Sequence, residues 1–269
     1  MIDLKSTVRY AQDYMSFLTS AKSADGHGIH SPLIYNFVNE VLNSNNNHEG
    51  NEAIKEIEWY RSWQLNSPTY LGCSMYGAGS RVCSKPMPLG KLIKDSSVSP
   101  KMGGFLLRLA KWVDAENILE LGTSVGMSTL YLAKANPNAK VITLEGDTQR
   151  ADMARDSFKL LGYKNIKLVE GDFDSTLGTV LDSSPKFDLI FFDGNHKAEP
   201  TLRYFRQCLE KTHSNSVFVF DDIRWSHEMF RAWQVISKHR SVSVSIDLFN
   251  LGVVIFRKGI AKQHFLINF

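Results

Sequence analysis

From Ser99 onward the chain alternates between short apolar runs and longer stretches whose apolar residues recur at helical spacing. Five runs, in NILEL, VITLE, IKLVE, FDLIFF and VFVF, are only four to six residues long and rich in branched and aromatic side chains, so they read as buried strands. Between them lie helical stripes. Phe105, Leu109 and Val113 recur at i, i+4, i+8 within a helix near Lys101–Val113. Ala151, Ala154, Phe158 and Leu161 form a second stripe, and Leu202, Phe205 and Leu209 a third. Strands separated by helices imply parallel pairing, because each return to the same edge needs a crossover. In VSVSIDLFNLGVVIFRK two strand-like runs meet at Phe249–Gly252, a link too short for a crossover and therefore a hairpin. The expected fold class is α/β: a doubly wound, Rossmann-like sheet, mostly parallel with an antiparallel last strand, over residues 99–269.

Residues 1–98 read as an N-terminal helical extension. Ala11, Tyr14 and Leu18 mark one helix. Ile34, Phe37, Val38, Val41 and Leu42 mark another, opened by Ser31-Pro32 as N-cap and first helical position. The asparagine-rich SNNNHEGNE reads as a loop and Glu52–Leu65 as a third helix, while Tyr70–Ser99 fits neither period and reads as a loop.

Acidic residues close every predicted strand of the core: Glu120, Glu145, Asp172, Asp193 and the pair Asp221–Asp222. Open parallel sheets bind ligands in the crevice beyond their carboxyl strand ends, so these acids border one candidate site. After the first strand, Gly122-Thr123-Ser124-Val125-Gly126 forms a glycine-rich turn into a helix, a cradle suited to a nucleotide-like ligand. Glu120 beside it is placed to accept hydrogen bonds from a cationic or hydroxylated ligand. A dinucleotide fingerprint needs a glycine two residues after Gly122, and Ser124 stands there. Glu145, twenty-three residues after Gly122, occupies the position from which a carboxylate holds ribose hydroxyls in α/β nucleotide binders.

The order ELGTSVG, LEGD, GDFD, FFDGNH and FDDI resembles class I S-adenosylmethionine-dependent methyltransferases, and most closely the catechol and caffeoyl-CoA type O-methyltransferases and their bacterial relatives, across roughly Ser99–Lys258. The resemblance implies a methyltransferase sheet and S-adenosylmethionine as cofactor. Glu120, Gly122, Thr123, Ser124 and Gly126 would face its methionine moiety, with Ser128 near the carboxylate. Glu145 would hold the ribose, Asp172 and Phe173 would flank the adenine, and Asp193 would lie beside the sulfonium. It further implies a divalent metal, Mg²⁺ or Mn²⁺, on Asp193, Asp221 and Asp222, holding a small-molecule hydroxyl acceptor. The extension would supply the substrate lid and the contact of a homodimer.

Two departures bear on the chemistry. Where the metal-dependent group has a lysine three residues after the first acid, this chain has His196, and the asparagine of its second acidic pair is Asp222. With an ordinary pKa of about 6.5, His196 is a candidate general base; a metal ligand or a plain loop histidine are the alternatives. Asp193 and His196 are thus the catalytic candidates. Asp222 or Ser226 can instead serve as N-cap to a helix through Met229, Phe230 and Trp233. No NPPY-like tetrapeptide follows the fourth strand, which favours an oxygen acceptor over an exocyclic amine. His27 with His30, the Trp59–Tyr60–Trp63 cluster and Gly77-x-Gly79-Ser80-Arg81 carry weaker chemistry: polar packing, core packing and a loop explain them.

Composition narrows the partners. The 269 residues carry a net charge of +3 with lysine and arginine scattered, so nucleic acid is disfavoured, although a tRNA-modifying methyltransferase or a non-catalytic S-adenosylmethionine-binding protein would keep the same cofactor motifs. No window approaches the apolar length of a membrane span and the first residues lack a signal-peptide core, so a cytoplasmic protein with no membrane partner is expected. Cys73, Cys83 and Cys208 lack C-x-x-C spacing and read as thiols.

Overall fold

The computed structural model describes residues 4–23, 30–43, 48–74, 76 and 85–269; side chains are described from residue 8 and, within the third helix, from residue 52. Helix α1 (Leu4–Ser20) leads into a two-residue strand β1 (Lys22–Ser23). α2 (Pro32–Phe37) continues as a π-helical turn over Val38–Leu42, closed by Asn43 N–H donating to the Val38 carbonyl. Then come α3 (His48–Leu65), β2 (Tyr70–Leu71), β3 (Met87–Pro88) and α4 (Leu89–Ser96). The core follows in strict alternation: α5 (Pro100–Trp112), β4 (Asn117–Leu121), α6 (Met127–Ala135), β5 (Lys140–Glu145), α7 (Thr148–Leu160), β6 (Ile166–Glu170), α8 (Phe173–Ser183), β7 (Leu189–Phe192), α9 (Ala198–Leu209), β8 (Val217–Phe220) and α10 (His227–Ser237). The chain closes with β9 (Val244–Asp247), β10 (Gly252–Ile255) and β11 (Gln263–Asn268).

Among the described residues the main sheet runs β1-β11-β9-β10-β8-β7-β4-β5-β6. β4 through β8 are mutually parallel. β10 is antiparallel to both β8 and β9, as the hairpin predicts. It is not the last strand, however: β11 follows and pairs parallel with β9, and β1 pairs parallel with β11. The pattern of QHFLIN, only partly buried beside the two-residue edge strand β1, hid β11 from a reading based on apolar runs.

Each central strand is apolar on both faces because each face has its own helical layer. Ile118, Leu189, Phe191, Val217 and Val219 join the cluster built with α5, α6 and α7; Leu119, Ile190, Phe192, Phe218 and Phe220 join the one built with α8, α9 and α10. The extension shares the first of these cores. Ile34, Phe37, Val38, Val41, Leu42, Ile57 and Tyr60 pack in the same cluster as Phe105 and Leu130.

Local departures from the expected pattern have physical causes. α3 starts four residues earlier than expected, at His48. The Tyr70–Ser99 segment holds a β2–β3 pair and the helix α4, which buries Leu89, Leu92 and Ile93; eight residues are too few for a periodicity to stand out. Ser31 does occupy the N-cap of α2 without a side-chain capping bond, whereas Ser99 caps α5 by accepting from Met102 N–H. α1 packs through Tyr10, Tyr14 and Phe17, a stripe offset from Ala11, Tyr14 and Leu18. Cys73 is disulfide-bonded, in contrast to the expected thiol, while Cys208 is a buried free thiol. His27, Gly77, Gly79, Ser80 and Arg81 lie outside the described residues. Tyr60 is core, whereas Trp59 and Trp63 are exposed. Among the described residues no helix is long and apolar enough to cross a membrane.

Candidate active site

The carboxyl ends of β4, β5, β7 and β8 open onto one cavity of about 700 Å³, a size that accommodates small-molecule ligands. Glu145, Asp172, Phe173, Asp193, His196, Asp221 and Asp222 all line it, as do Gly122 and Ser124. Sequence separations of up to a hundred residues thus collapse into one crevice, because parallel strands deliver their ends to the same edge.

Glu145 ends β5 and is 7% exposed, with one face open to the cavity. Ser124 N–H donates to its Oε2 at 2.7 Å and Asp147 N–H to its Oε1 at 2.9 Å. Burial raises its pKa, and these two backbone donors pull it back. Each oxygen keeps further lone pairs, so the carboxylate is oriented and still able to accept from a ligand. Asp172 caps α8 by accepting from Asp174 N–H at 2.8 Å, and Phe173 beside it stacks edge-on to Tyr204.

The turn after β4 is shaped by close packing of the chain on itself. Gly122 has φ +109°, and a β-carbon there would sit 2.2 Å from the Asp193 carbonyl oxygen. Gly126 has φ +89°, and a β-carbon there would meet the Phe158 ring at 2.7 Å. No side chain larger than hydrogen fits either place without moving backbone or core.

Four residues expected around the ligand do not line the cavity. Glu120 is fully buried and accepts from the hydroxyls of Thr129 and Thr143, with Ser128 also bonded to it. Among the described residues its Oε1 has no partner, and burial raises its pKa. The Thr123 hydroxyl pairs with that of Thr143 at 2.6 Å, pointing inward. Gly126 is the N-cap of α6 and does not line the cavity. Periodicity identified this stretch as a strand and turn; which side of the strand each group takes was settled by the partners across β4 and β5.

Opposite Glu145, four titratable groups are crowded together. The Asn195 and His196 backbones are left-handed, with φ +70° and +37°, and Asp222 has φ +52°. These turns bring His196 Nε2 to 3.7 Å from Asp193 Oδ1 and His196 Nδ1 to 3.7 Å from Asp222 Oδ2. Burial, then repulsion from Asp221 and Asp222, pushes the Asp193 pKa well up, and its carboxyl hydrogen-bonds that of Asp221. Asp221 is pushed up to about 7 by burial and by Asp222. Burial holds His196 below its ordinary value despite the pull of Asp222. At neutral pH the imidazole is therefore neutral. Ser226, not Asp222, caps α10, accepting from Met229 N–H at 3.1 Å.

Several cavity residues carry no sequence signal. Tyr76 lies over Gly146, whose β-carbon would meet its ring at 2.8 Å. Trp225, 59% exposed, stands 6.1 Å from the His196 ring, and Asn250 reaches the cavity from the β9–β10 turn. Their positions depend on loops whose course no periodicity encodes.

Residues 119–223, which contain the β4–β8 strand ends and the acids that close them, match a family model described as a methyltransferase domain. Over these residues the chain is similar to that family. Over 130 residues, 47% of its length, the chain is 35% identical to a catechol O-methyltransferase of Niastella koreensis; over 129 residues it is 33% identical to a catechol O-methyltransferase of Mycobacterium tuberculosis. The matched stretch spans 58% and 57% of those two proteins. The fold is also that of an O-methyltransferase from Bacillus cereus in complex with SAH, at a TM-score of 0.54 and 21% identity, covering 76% of this chain and 90% of that one. An SAH-bound methyltransferase from Podospora anserina gives a TM-score of 0.57 at 19% identity, over 77% of this chain and 88% of that one. The Rossmann-like sheet expected from the strand pattern is observed, with β11 added after the antiparallel β10.

Proposed function

We propose that the chain is an S-adenosylmethionine-dependent methyltransferase that methylates a hydroxyl oxygen of a small-molecule acceptor. The observation that carries this reading is the pairing, across one cavity, of an oriented ribose-type carboxylate at Glu145 with a neutral histidine among carboxylates at His196. The catechol O-methyltransferase relatives support an oxygen acceptor.

In this reading Glu145 accepts hydrogen bonds from the ribose hydroxyls, and Asp172 with Phe173 borders the adenine. The Gly122–Ser124 turn borders the methionine portion. His196 takes the acceptor proton as the oxygen attacks the methyl carbon; the carbon–sulfur bond breaks and its electron pair stays on sulfur, which leaves as a neutral thioether. Asp222 beside the imidazole offsets the positive charge that His196 acquires. Holding acceptor and donor in line within one walled cavity supplies the remainder, by removing translational freedom before the chemistry.

A divalent metal on Asp193, Asp221 and Asp222 is the second reading, favoured by the mutual crowding of three acids that a cation would relieve. Their geometry does not fit it as it stands. Among the described residues no group of three potential ligands is arranged to hold an ion, and the imidazole occupies the gap between Asp193 and Asp222. No step above runs through a metal. Turnover of a catechol-type acceptor is the test. Activity that survives EDTA and is lost on His196→Ala supports the histidine base; activity abolished by EDTA and restored by Mg²⁺ or Mn²⁺ replaces it with the metal. Indifference to both removes these residues from the chemistry.

A further inference from the structure

Arg224 lies two residues after Asp222 but turns away from the cavity into the protein. Its guanidinium donates to both oxygens of Asp247 at 2.8 Å and to the Phe249 carbonyl at 2.5 Å. Ile223 N–H donates to the Asn250 carbonyl at 3.0 Å. The segment carrying Asp221, Asp222 and Trp225 is therefore anchored to the β9–β10 turn at Asp247–Asn250. That turn is unusual in itself. Phe249 has φ +73°, a left-handed conformation that a bulky side chain keeps only when its surroundings impose it.

The surroundings are supplied by α1. Tyr10, Tyr14 and Phe17 place their rings 5.1, 4.8 and 5.3 Å from the Phe249 ring. The Tyr10 hydroxyl donates to Asn250 Oδ1 at 2.8 Å, and Asn250 is itself on the cavity wall. The Arg224 guanidinium lies over the rings of Phe17 and Phe249. Tyr10, Tyr14 and Phe17 recur at i, i+4 and i+7, so one helical stripe is spent on this turn, while Val8 and Met15 on other faces are 50% and 63% exposed.

We infer that α1 is a positioning element of the acceptor side of the site: Tyr10, Tyr14 and Phe17 hold the strained Phe249–Asn250 turn, which holds Ile223 and Arg224 and through them Asp221, Asp222 and Trp225. No residue of α1 needs to touch either substrate for this. The cofactor side of the cavity, at Glu145 and Asp172, hangs on β5, β6 and α8 and is independent of α1. The inference rests on the proposed methyl transfer only for its kinetic readout.

The experiment compares the wild-type chain with Tyr10→Ala/Tyr14→Ala, with Tyr14→Phe, which keeps the ring, and with Met15→Ala on the exposed face of the same helix. Hydrogen exchange of the peptide covering Asp221–Ser226, calorimetry with S-adenosylhomocysteine, and acceptor KM are measured on each. Loss of one hydroxyl bond and two edge-on ring contacts should speed exchange at Ile223 and raise acceptor KM, each by about tenfold. Affinity for S-adenosylhomocysteine should stay within about twofold, and Tyr14→Phe and Met15→Ala should behave as wild type. Unchanged exchange in the double variant overturns the inference, as does an equal loss of cofactor affinity, which would mean general loosening. If the wild-type chain binds no S-adenosylhomocysteine, the methyltransferase reading fails, and the exchange measurement still decides the role of α1.

Discussion

Substituting Asp247 with alanine should cost more stability than any change to a charged residue on the surface. The carboxylate is 3% exposed and accepts four hydrogen bonds: two from Arg224, one from Phe249 N–H at 2.9 Å and one from Trp233 Nε1 at 3.2 Å. Its removal strands a guanidinium that is itself 9% exposed. Breaking a buried pair by deleting one partner costs roughly 3–5 kcal/mol, mostly the penalty of the charge left behind. Arg224 would retain the Phe249 carbonyl and its aromatic neighbours Phe17, Phe230 and Phe249, which places the loss near the lower end, about 3 kcal/mol. Equilibrium urea denaturation measures it as a shift in midpoint at constant slope. At about 2–4 °C per kcal/mol for chains of this size, the melting temperature should fall by roughly 6–12 °C. The double variant Arg224→Met/Asp247→Leu should recover most of the loss, since it leaves neither charge unpaired. A loss below about 1 kcal/mol in Asp247→Ala, or a double variant worse than the single one, would refute the reasoning that the stranded charge is what costs.

Two further outcomes follow from the site. Glu145→Ala should weaken S-adenosylhomocysteine binding by about ten- to a hundredfold, the worth of charge-assisted hydrogen bonds at roughly 1.5–3 kcal/mol, as measured by calorimetry; unchanged affinity would remove Glu145 from the ribose site. The pKa of Asp221 is raised to about 7, so the folded protein holds a proton that the unfolded chain releases near pH 4. Its contribution to stability is therefore fully present below about pH 4 and is lost as pH rises through about 7. Asp221→Asn should be more stable than wild type at pH 8 and lose that advantage toward pH 4, followed by urea midpoints across the range; an advantage independent of pH would show that the carboxyl is not the source.

Most of the fold was legible because both of its governing periods are local. Five runs such as FDLIFF and VFVF, apolar on both faces and separated by helical stripes, demand a parallel sheet covered on two sides, and the acids that end them mark the ligand edge. The glycine spacing at Gly122 and Gly126 located the turn, but the reason for each glycine came from elsewhere in the chain, from the Asp193 carbonyl and the Phe158 ring. What the sequence by itself determined about this protein is therefore the sheet from β4 to β10, its order of strands and helices, and which residues end the strands; β11 and β1 beyond them were not legible. Only the tertiary structure decided which of those residues face the cavity. Glu120 and Ser128 turn inward to the Thr129–Thr143 network, and His196 comes between Asp193 and Asp222 through two consecutive left-handed residues. It also decided that α1, whose stripe resembles any amphipathic helix, packs on Phe249. Such choices depend on contacts between residues up to two hundred and forty positions apart, as Tyr10 is from Asn250, and no local pattern of apolar and polar positions encodes a contact at that range.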